Sequence, residues 1–151
     1  MVDFNAKGTD GVPFRFDVEY GKLQEFVRAI ATADPAYAEG DRPVVPPTFL
    51  TSMFHWERNV ADSNPWPQVE MSKKRGVHAE QEYIFHGPPP RAGDRLTAQS
   101  RIDDVWEKVG RRGGKLVFVT MITEFRNPEG ELVAEAKMTA VETAKPPEES
   151  A

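Results

Sequence analysis

The chain has 151 residues, of which 39% are hydrophobic and 28% charged, a composition typical of one globular domain and unlike that of a disordered or fibrous protein. Its formal net charge is −5, so the chain as a whole lacks the net positive charge that is typical of nucleic-acid-binding proteins. It has no cysteine, which excludes disulfide frameworks, thiol nucleophiles and thiolate metal sites.

The apolar runs are only a few residues long, as at residues 116–119, so no membrane span is predicted. The N-terminus has neither the basic start nor the apolar core of a signal peptide. We therefore expect a cytoplasmic protein with one domain over residues 1–151, a core at about 13–143, and frayed ends.

The front of the chain carries one strand signal and two helix signals. Residues 13–20 are predicted to form a strand. Between Gly21 and Pro35, apolar residues recur at helical spacing, which predicts an amphipathic helix; they are Leu23, Phe26, Val27 and Ile30. Residues 48–57 follow two prolines and are apolar on nearly every side, so they predict a helix inside the fold.

After a long loop at residues 58–76, the pattern changes to extended segments. Strands are predicted at residues 78–86, 95–109, 115–126 and 131–143. Glycines at 110–114 and the proline and glycine at 127–130 indicate tight turns between antiparallel neighbours. The tail from Ala144 is expected to be frayed.

These elements predict an α+β fold in which an antiparallel sheet of about five strands wraps around the central apolar helix. The strand at 115–126 is apolar on both faces, with Leu116, Phe118 and Ile122 on one and Val117, Val119, Met121 and Phe125 on the other. A sheet that is apolar on both faces predicts burial by a second subunit or domain.

Six segments in this order resemble the MaoC-like dehydratases, particularly the N-terminal group of the fatty-acid-synthase type. They are residues 18–31 (VEYGKLQEFVRAIA), 34–37 (DPAY), 45–49 (VPPTF), 77–83 (VHAEQEY), 91–97 (RAGDRLT) and 107–110 (EKVG). The resemblance covers about residues 13–143. It implies a single hot-dog domain, paired with another such unit and acting on acyl thioesters of coenzyme A or acyl carrier protein.

Hydratases of this family are similar in carrying an Asp-x-Asn-Pro-x-His stretch after the first helix, whose aspartate and histidine activate water. Here Thr32 stands at the aspartate position and Tyr37 at the histidine position, while Pro35 is retained. The resemblance therefore implies that this chain lacks its own catalytic pair. It implies a non-catalytic, substrate-binding subunit that pairs with a catalytic MaoC-like subunit in an (R)-specific enoyl-thioester hydratase or 3-hydroxyacyl-thioester dehydratase.

Five residues are candidates for contact with substrate: Tyr37, Thr48, Phe49, His78 and Glu82. Thr48 and Phe49 begin the central helix, where free backbone N–H groups could polarise a thioester carbonyl or be simply capped. Strict alternation places His78, Glu80, Glu82, Ile84 and His86 on one strand face. That stripe has three interpretations: a site, a subunit contact or a solvated surface.

No metal site or cofactor is expected, because His78 and His86 are eight residues apart on one strand, roughly 26 Å at 3.3 Å per residue. His55, near the end of the central helix, is interpreted as structural. The basic run at residues 73–75 either meets phosphates or a carrier protein, or is solvated.

Three functional hypotheses remain open at this point. The first is the non-catalytic subunit, as a heterodimer or dimer of dimers with its partner. The second is a self-sufficient hot-dog hydratase or thioesterase, with a homodimer as the alternative assembly, in which His78, Glu80 or Glu82 supports attack by water. The third is a module that only binds acyl thioesters. Acyl length, a ring-bearing substrate, the choice of coenzyme A or carrier protein, and the direction of the pathway are left undetermined by the sequence.

Overall fold

The structure is a computed structural model that describes residues 1–57, 59–111 and 113–144. Its strands are β1 (Phe14–Asp17), β2 (Gly76–Phe85), β3 (Arg95–Val109), β4 (Lys115–Arg126) and β5 (Leu132–Glu142). Its α-helices are α1 (Tyr20–Ala29), α2 (Pro35–Ala38) and α3 (Val60–Ser63). Three 3-10 helices span Phe4–Ala6, Pro47–His55 and Trp66–Val69. We call Pro47–His55 the central helix.

The strands form one five-stranded sheet in the order β1-β3-β4-β5-β2, and every neighbouring pair is antiparallel. This confirms the predicted α+β architecture. The turns between β3 and β4 and between β4 and β5 also lie where glycine and proline predict them, with the Gly130 N–H donating to the Asn127 carbonyl at 2.9 Å. β2 forms one edge of the sheet and β1 the other.

One face of the sheet, the inner face, is covered by helices and holds two apolar clusters. The first cluster joins α1 and the central helix to the sheet and contains the fully buried side chains of Phe16, Leu23, Phe49 and Phe125. The second joins the N-terminus and the helix Trp66–Val69 to the sheet and contains Val2, Ala6, Val69, Ile102 and Val119. The inner face therefore provides the core and has room for a cavity between its two clusters.

The central helix differs from the predicted one in type and in burial. It is a 3-10 helix, and the Ser52 hydroxyl donates to the Phe49 carbonyl three residues earlier, at 2.7 Å. Phe49 and Leu50 are fully buried, but Phe54 is 55% exposed. The expectation that every side of this helix is buried is wrong for Phe54, because more than half of this side chain is accessible to solvent.

The ends of two predicted segments also differ. Helix α1 stops at Ala29, and Asp34 instead caps α2, where its carboxylate accepts from the Ala36 N–H at 2.9 Å. The N-terminus, expected to be frayed, packs on the core: the Asp3 N–H donates to the Val69 carbonyl at 2.9 Å, and Val2 and Ala6 are buried. Residues 145–151, expected to be frayed, lie outside the described residues.

The opposite, outer face of the sheet carries an apolar row at one end. Val77, Val141, Phe118 and Trp106 are consecutive cross-strand neighbours on four strands. Trp106 and Phe118 stack with ring centroids 5.2 Å apart. Within the described ranges, no helix is long and apolar enough to cross a membrane.

Candidate functional site: an apolar cavity at the sheet edge

A cavity of about 540 Å³ lies between the central helix and the inner face of the sheet. Its walls come from the central helix, the helix Trp66–Val69 and its approach, and strands β2, β4 and β5. The lining residues are Thr51, Met53, Phe54, Glu57, Asn64, Trp66, His78, Gln81, Met121, Thr123, Ala136 and Met138. Three methionines and two aromatic rings make the cavity mainly apolar, and methionine side chains adapt readily to the shape of an apolar ligand.

Most polar side chains in the wall are already hydrogen-bonded within the protein. The Thr51 and Tyr83 hydroxyls bond to each other and connect the central helix to β2. The Thr123 hydroxyl bonds to Ser100 at 2.8 Å, and the Gln81 amide donates to the Lys137 carbonyl at 3.1 Å. These groups therefore shape the wall and have limited capacity for new hydrogen bonds.

Glu57 and His78 are the ionisable residues of the cavity wall. Burial raises the pKa of the Glu57 carboxyl above its ordinary value, and a hydrogen bond with Ser63 partly offsets this effect. A carboxyl with a raised pKa and an imidazole in the wall of one cavity provide the residue types needed for acid–base chemistry or for recognition of a polar group on a ligand.

The position of His78 corrects the predicted alternation along β2. The pairing with β5 shifts between His78 and Glu80, so His78 lies opposite Ala140 and Glu80 lies opposite Thr139. Ala140 is itself opposite Val119 of the inner face. The extra residue, Ala79, therefore turns His78 to the inner face, while Glu80 and Glu82 remain on the outer face.

Of the five substrate-contact candidates, only His78 lines this cavity. Thr48 is exposed at the start of the central helix. Phe49 is fully buried against other rings, and its N–H already donates to the Pro46 carbonyl at 2.9 Å, so this amide is not free to polarise a substrate. Glu82 lies on the outer face, with its carboxylate 3.9 Å from the Lys137 ammonium.

Thr32 and Tyr37, which the resemblance places at the family's catalytic positions, lie before and in α2, and neither lines the cavity. The Thr32 hydroxyl accepts from the Asp34 N–H at 3.3 Å. Tyr37 is half-buried and packs against the first apolar cluster, and its carbonyl accepts from the Gln24 amide at 3.4 Å. Both residues have local structural contacts, and neither belongs to the lining of the cavity.

The remaining sequence candidates are dispersed. His55 is exposed at the end of the central helix beside Trp56, and His86 bonds to the Glu135 carboxylate at 2.7 Å. Arg75 pairs with Glu142 at 2.5 Å. In residues 1–57, 59–111 and 113–144, no three histidine, aspartate or glutamate side chains lie close enough to hold one metal ion.

Glu57 is the residue that sequence reasoning missed. It is the first charge after the apolar stretch 48–56, and a single acidic residue at the end of such a helix is a weak signal for a cavity carboxyl. Its position in the cavity wall depends on strands β2, β4 and β5, which are distant in the sequence, so the pattern of neighbouring residues does not predict it.

The cavity lies at the β2 edge of the sheet. His78 and Gln81, both exposed, form its wall there, and β2 pairs only with β5 among the described strands. A chain that paired with the free side of β2 would therefore lie next to the cavity.

A family model, the FAS1-like dehydratase domain region, matches residues 5–136. The chain belongs to this dehydratase family. It is also 33% identical over 145 residues to a UPF0336 protein of Saccharopolyspora erythraea, covering 88% of this chain and 86% of the relative. The family and the sheet order together confirm the resemblance to the MaoC-like hot-dog dehydratases.

Two solved structures with this fold are heteromeric complexes. One is the C-terminally truncated HadBC (3R-hydroxyacyl-ACP dehydratase) complex from Mycobacterium tuberculosis, with a TM-score of 0.70, 28% identity, and coverage of 90% of this chain and 96% of that one. The other is the ChsH1-ChsH2 complex from the same organism, with a TM-score of 0.69, 15% identity, and coverage of 93% and 91%. At 15% identity, the second supports the fold alone.

Proposed function

We propose that this chain is the non-catalytic, substrate-binding hot-dog subunit of an (R)-specific enoyl-thioester hydratase or 3-hydroxyacyl-thioester dehydratase. In this proposal it acts as one domain in the cytoplasm, without a cofactor, and pairs with a catalytic MaoC-like subunit. Its substrate is an acyl thioester of coenzyme A or of acyl carrier protein.

The observation that carries the proposal is the apolar cavity of about 540 Å³ beside the free edge of β2. A volume of this size falls within the range typical of small-molecule pockets. Burial of an acyl chain against Met53, Met121 and Met138 would contribute roughly 0.8 kcal/mol for each CH₂ group removed from water.

The residues in and before α2 support a non-catalytic role. Thr32 has a hydroxyl where the family has a carboxylate, and Tyr37 has a phenol where the family has an imidazole. A partner that retains aspartate and histidine would supply the groups that activate water, while this chain positions the acyl chain. The relationship to one subunit of the HadBC complex is consistent with such a division of roles.

The test is hydration of a short enoyl-CoA by this chain alone, by a MaoC-like protein that retains the aspartate and histidine alone, and by the two co-expressed. We expect activity only in the co-expressed pair. Replacement of Tyr37 by Phe should change turnover by less than about twofold, because the proposal gives its hydroxyl no chemical role. Full activity of the isolated chain would contradict the proposal.

One observation favours a second candidate, a self-sufficient hydratase or thioesterase. Glu57 and His78 line the same apolar cavity, and burial raises the pKa of Glu57. In this case the isolated chain would turn over an acyl-CoA, and Glu57→Gln would lower turnover by about a hundredfold or more. Release of free thiol would identify a thioesterase, whereas hydration leaves the thioester intact.

A further inference from the structure

The free edge of β2 is long and open. The strand spans Gly76–Phe85, contains no proline, and is exposed from Gly76 to Glu82. Among the described strands it pairs only with β5, so one side of its backbone presents unpaired N–H and C=O groups. Such an edge can pair with a strand of another chain. Proteins usually prevent unwanted pairing with charges or bulges, or cover the edge with a specific partner.

The outer face of this edge is acidic. Glu80 and Glu82 are both exposed on that face. Glu82 has one distant counter-ion, the Lys137 ammonium at 3.9 Å. Within the described ranges, Glu80 makes no ion pair at all.

These two charges disfavour pairing of the edge with a second copy of itself in the registers centred on residues 80 to 82. A two-fold axis normal to the sheet keeps outer side chains opposite outer side chains. If the axis passes through Gln81, Glu80 of one copy faces Glu82 of the other. If it passes through Glu80 or Glu82, that residue faces its own equivalent. Directly opposed like charges on neighbouring strands are destabilising.

We infer that the β2 edge selects a partner strand that carries lysine or arginine at alternate, outward-facing positions. This inference rests on the proposed function in one respect, that a second hot-dog subunit is the partner. A basic side chain opposite Glu80 supplies a counter-ion that Glu80 does not have among the described residues, and a second basic side chain lies opposite Glu82. The same two glutamates that reject a copy of this chain thus specify the partner.

The inference can be tested without the natural partner, by a charge-reversed copy of this chain. The double variant Glu80→Lys with Glu82→Lys carries the predicted partner pattern on an identical fold. We expect the wild-type chain and the variant to associate at least tenfold more tightly with each other than either does with itself. Sedimentation velocity of each protein and of the mixture at low ionic strength measures this difference.

Salt and a matched variant separate edge pairing from general attraction. The preference for the mixed pair should fall markedly in about 1 M NaCl, where the Debye length is about 3 Å. The control variant Glu39→Lys with Asp41→Lys has the same change in net charge at exposed loop positions. Mixed with wild type, it should show no such preference.

A neutral variant gives a second measurement if the reversed chain folds poorly. Glu80→Gln with Glu82→Gln removes the repulsion, so it should form homodimers at least tenfold more tightly than wild type. The inference is overturned if wild type dimerises as tightly as the mixed or neutral pairs, or if the loop variant pairs equally well. The proposed function can fail separately. If the chain does not bind acyl-CoA, or if the co-expressed pair has no hydratase activity, while wild type and the charge-reversed variant still prefer each other, only the proposed function is rejected.

Discussion

Burial acts on one carboxyl in the cavity wall, that of Glu57, and this has a consequence for stability. The raised pKa means that the folded protein favours the protonated form more than the unfolded chain does. Between the unfolded value near 4.5 and the higher folded value, the folded state binds more protons, so stability falls as pH rises through that window.

We therefore expect Glu57→Gln to be stabilising relative to wild type at neutral pH. The difference should shrink below the unfolded pKa, where both states of the wild type are protonated. Urea unfolding of both proteins at about pH 4 and about pH 7 measures it. Glu39→Gln, at an exposed loop carboxyl, should show no pH-dependent difference; a similar change there would remove burial as the cause.

At the scale of elements, the central helix is held to the sheet mainly by Phe49. Its ring lies 5.4 Å from that of Phe26, 6.0 Å from Phe16 and 6.4 Å from Trp56, and the side chain is fully buried. These contacts make Phe49 part of the core and not of the cavity wall.

Phe49→Ala should destabilise the fold by about 3–5 kcal/mol through lost burial and the cavity left behind. Phe54→Ala on the same helix should cost less than about 1 kcal/mol, because that ring is 55% exposed. Chemical denaturation of both variants provides the comparison. Equal losses would mean that the Phe54 ring is covered in solution, for example by a second subunit.

The hydrogen bond between Thr51 and Tyr83 connects the central helix to the edge strand. We expect Tyr83→Phe to cost about 1 kcal/mol of unfolding free energy. A double-mutant cycle with Thr51→Val isolates the pair, and its coupling energy should be close to the loss in the single variant. Additive losses would show that the two hydroxyls act independently.

At the scale of the whole molecule, the cavity exists because two apolar clusters cover the inner face at different points and leave a gap between them. Met138 is half-buried and lines this gap from β5. The central helix, the helix Trp66–Val69 and strands β2, β4 and β5 all have to be in place before the cavity has its walls.

Met138→Trp should fill part of the cavity and weaken acyl-CoA binding by about tenfold or more while the fold is kept. Isothermal titration with a medium-chain acyl-CoA measures the affinity, and circular dichroism checks the fold. Val109→Trp, at a position 84% exposed at the end of β3, is the matched control and should bind like wild type. Unchanged affinity in Met138→Trp would place the ligand elsewhere.

The sequence alone was sufficient for the order and approximate bounds of the strands and for the first helix. Strand bounds such as Arg95–Val109 and Lys115–Arg126 agree with the prediction because alternation and turn residues are local properties. The assignment of Thr32 and Tyr37 to the family's catalytic positions also comes from spacing along the chain, and it stays a prediction.

Only the tertiary structure decided which side chains share the cavity. The bulge at Ala79 moves His78 to the inner face, and this follows from the pairing of β2 with β5 and not from the residues of β2. Glu57 lines the same cavity as Met121 and Met138 only because β4 and β5 pair in the folded sheet. The helix at Pro47–His55 is apolar on nearly every side by sequence, so only packing on one face of the sheet determines which rings are buried and which, like Phe54, are left exposed.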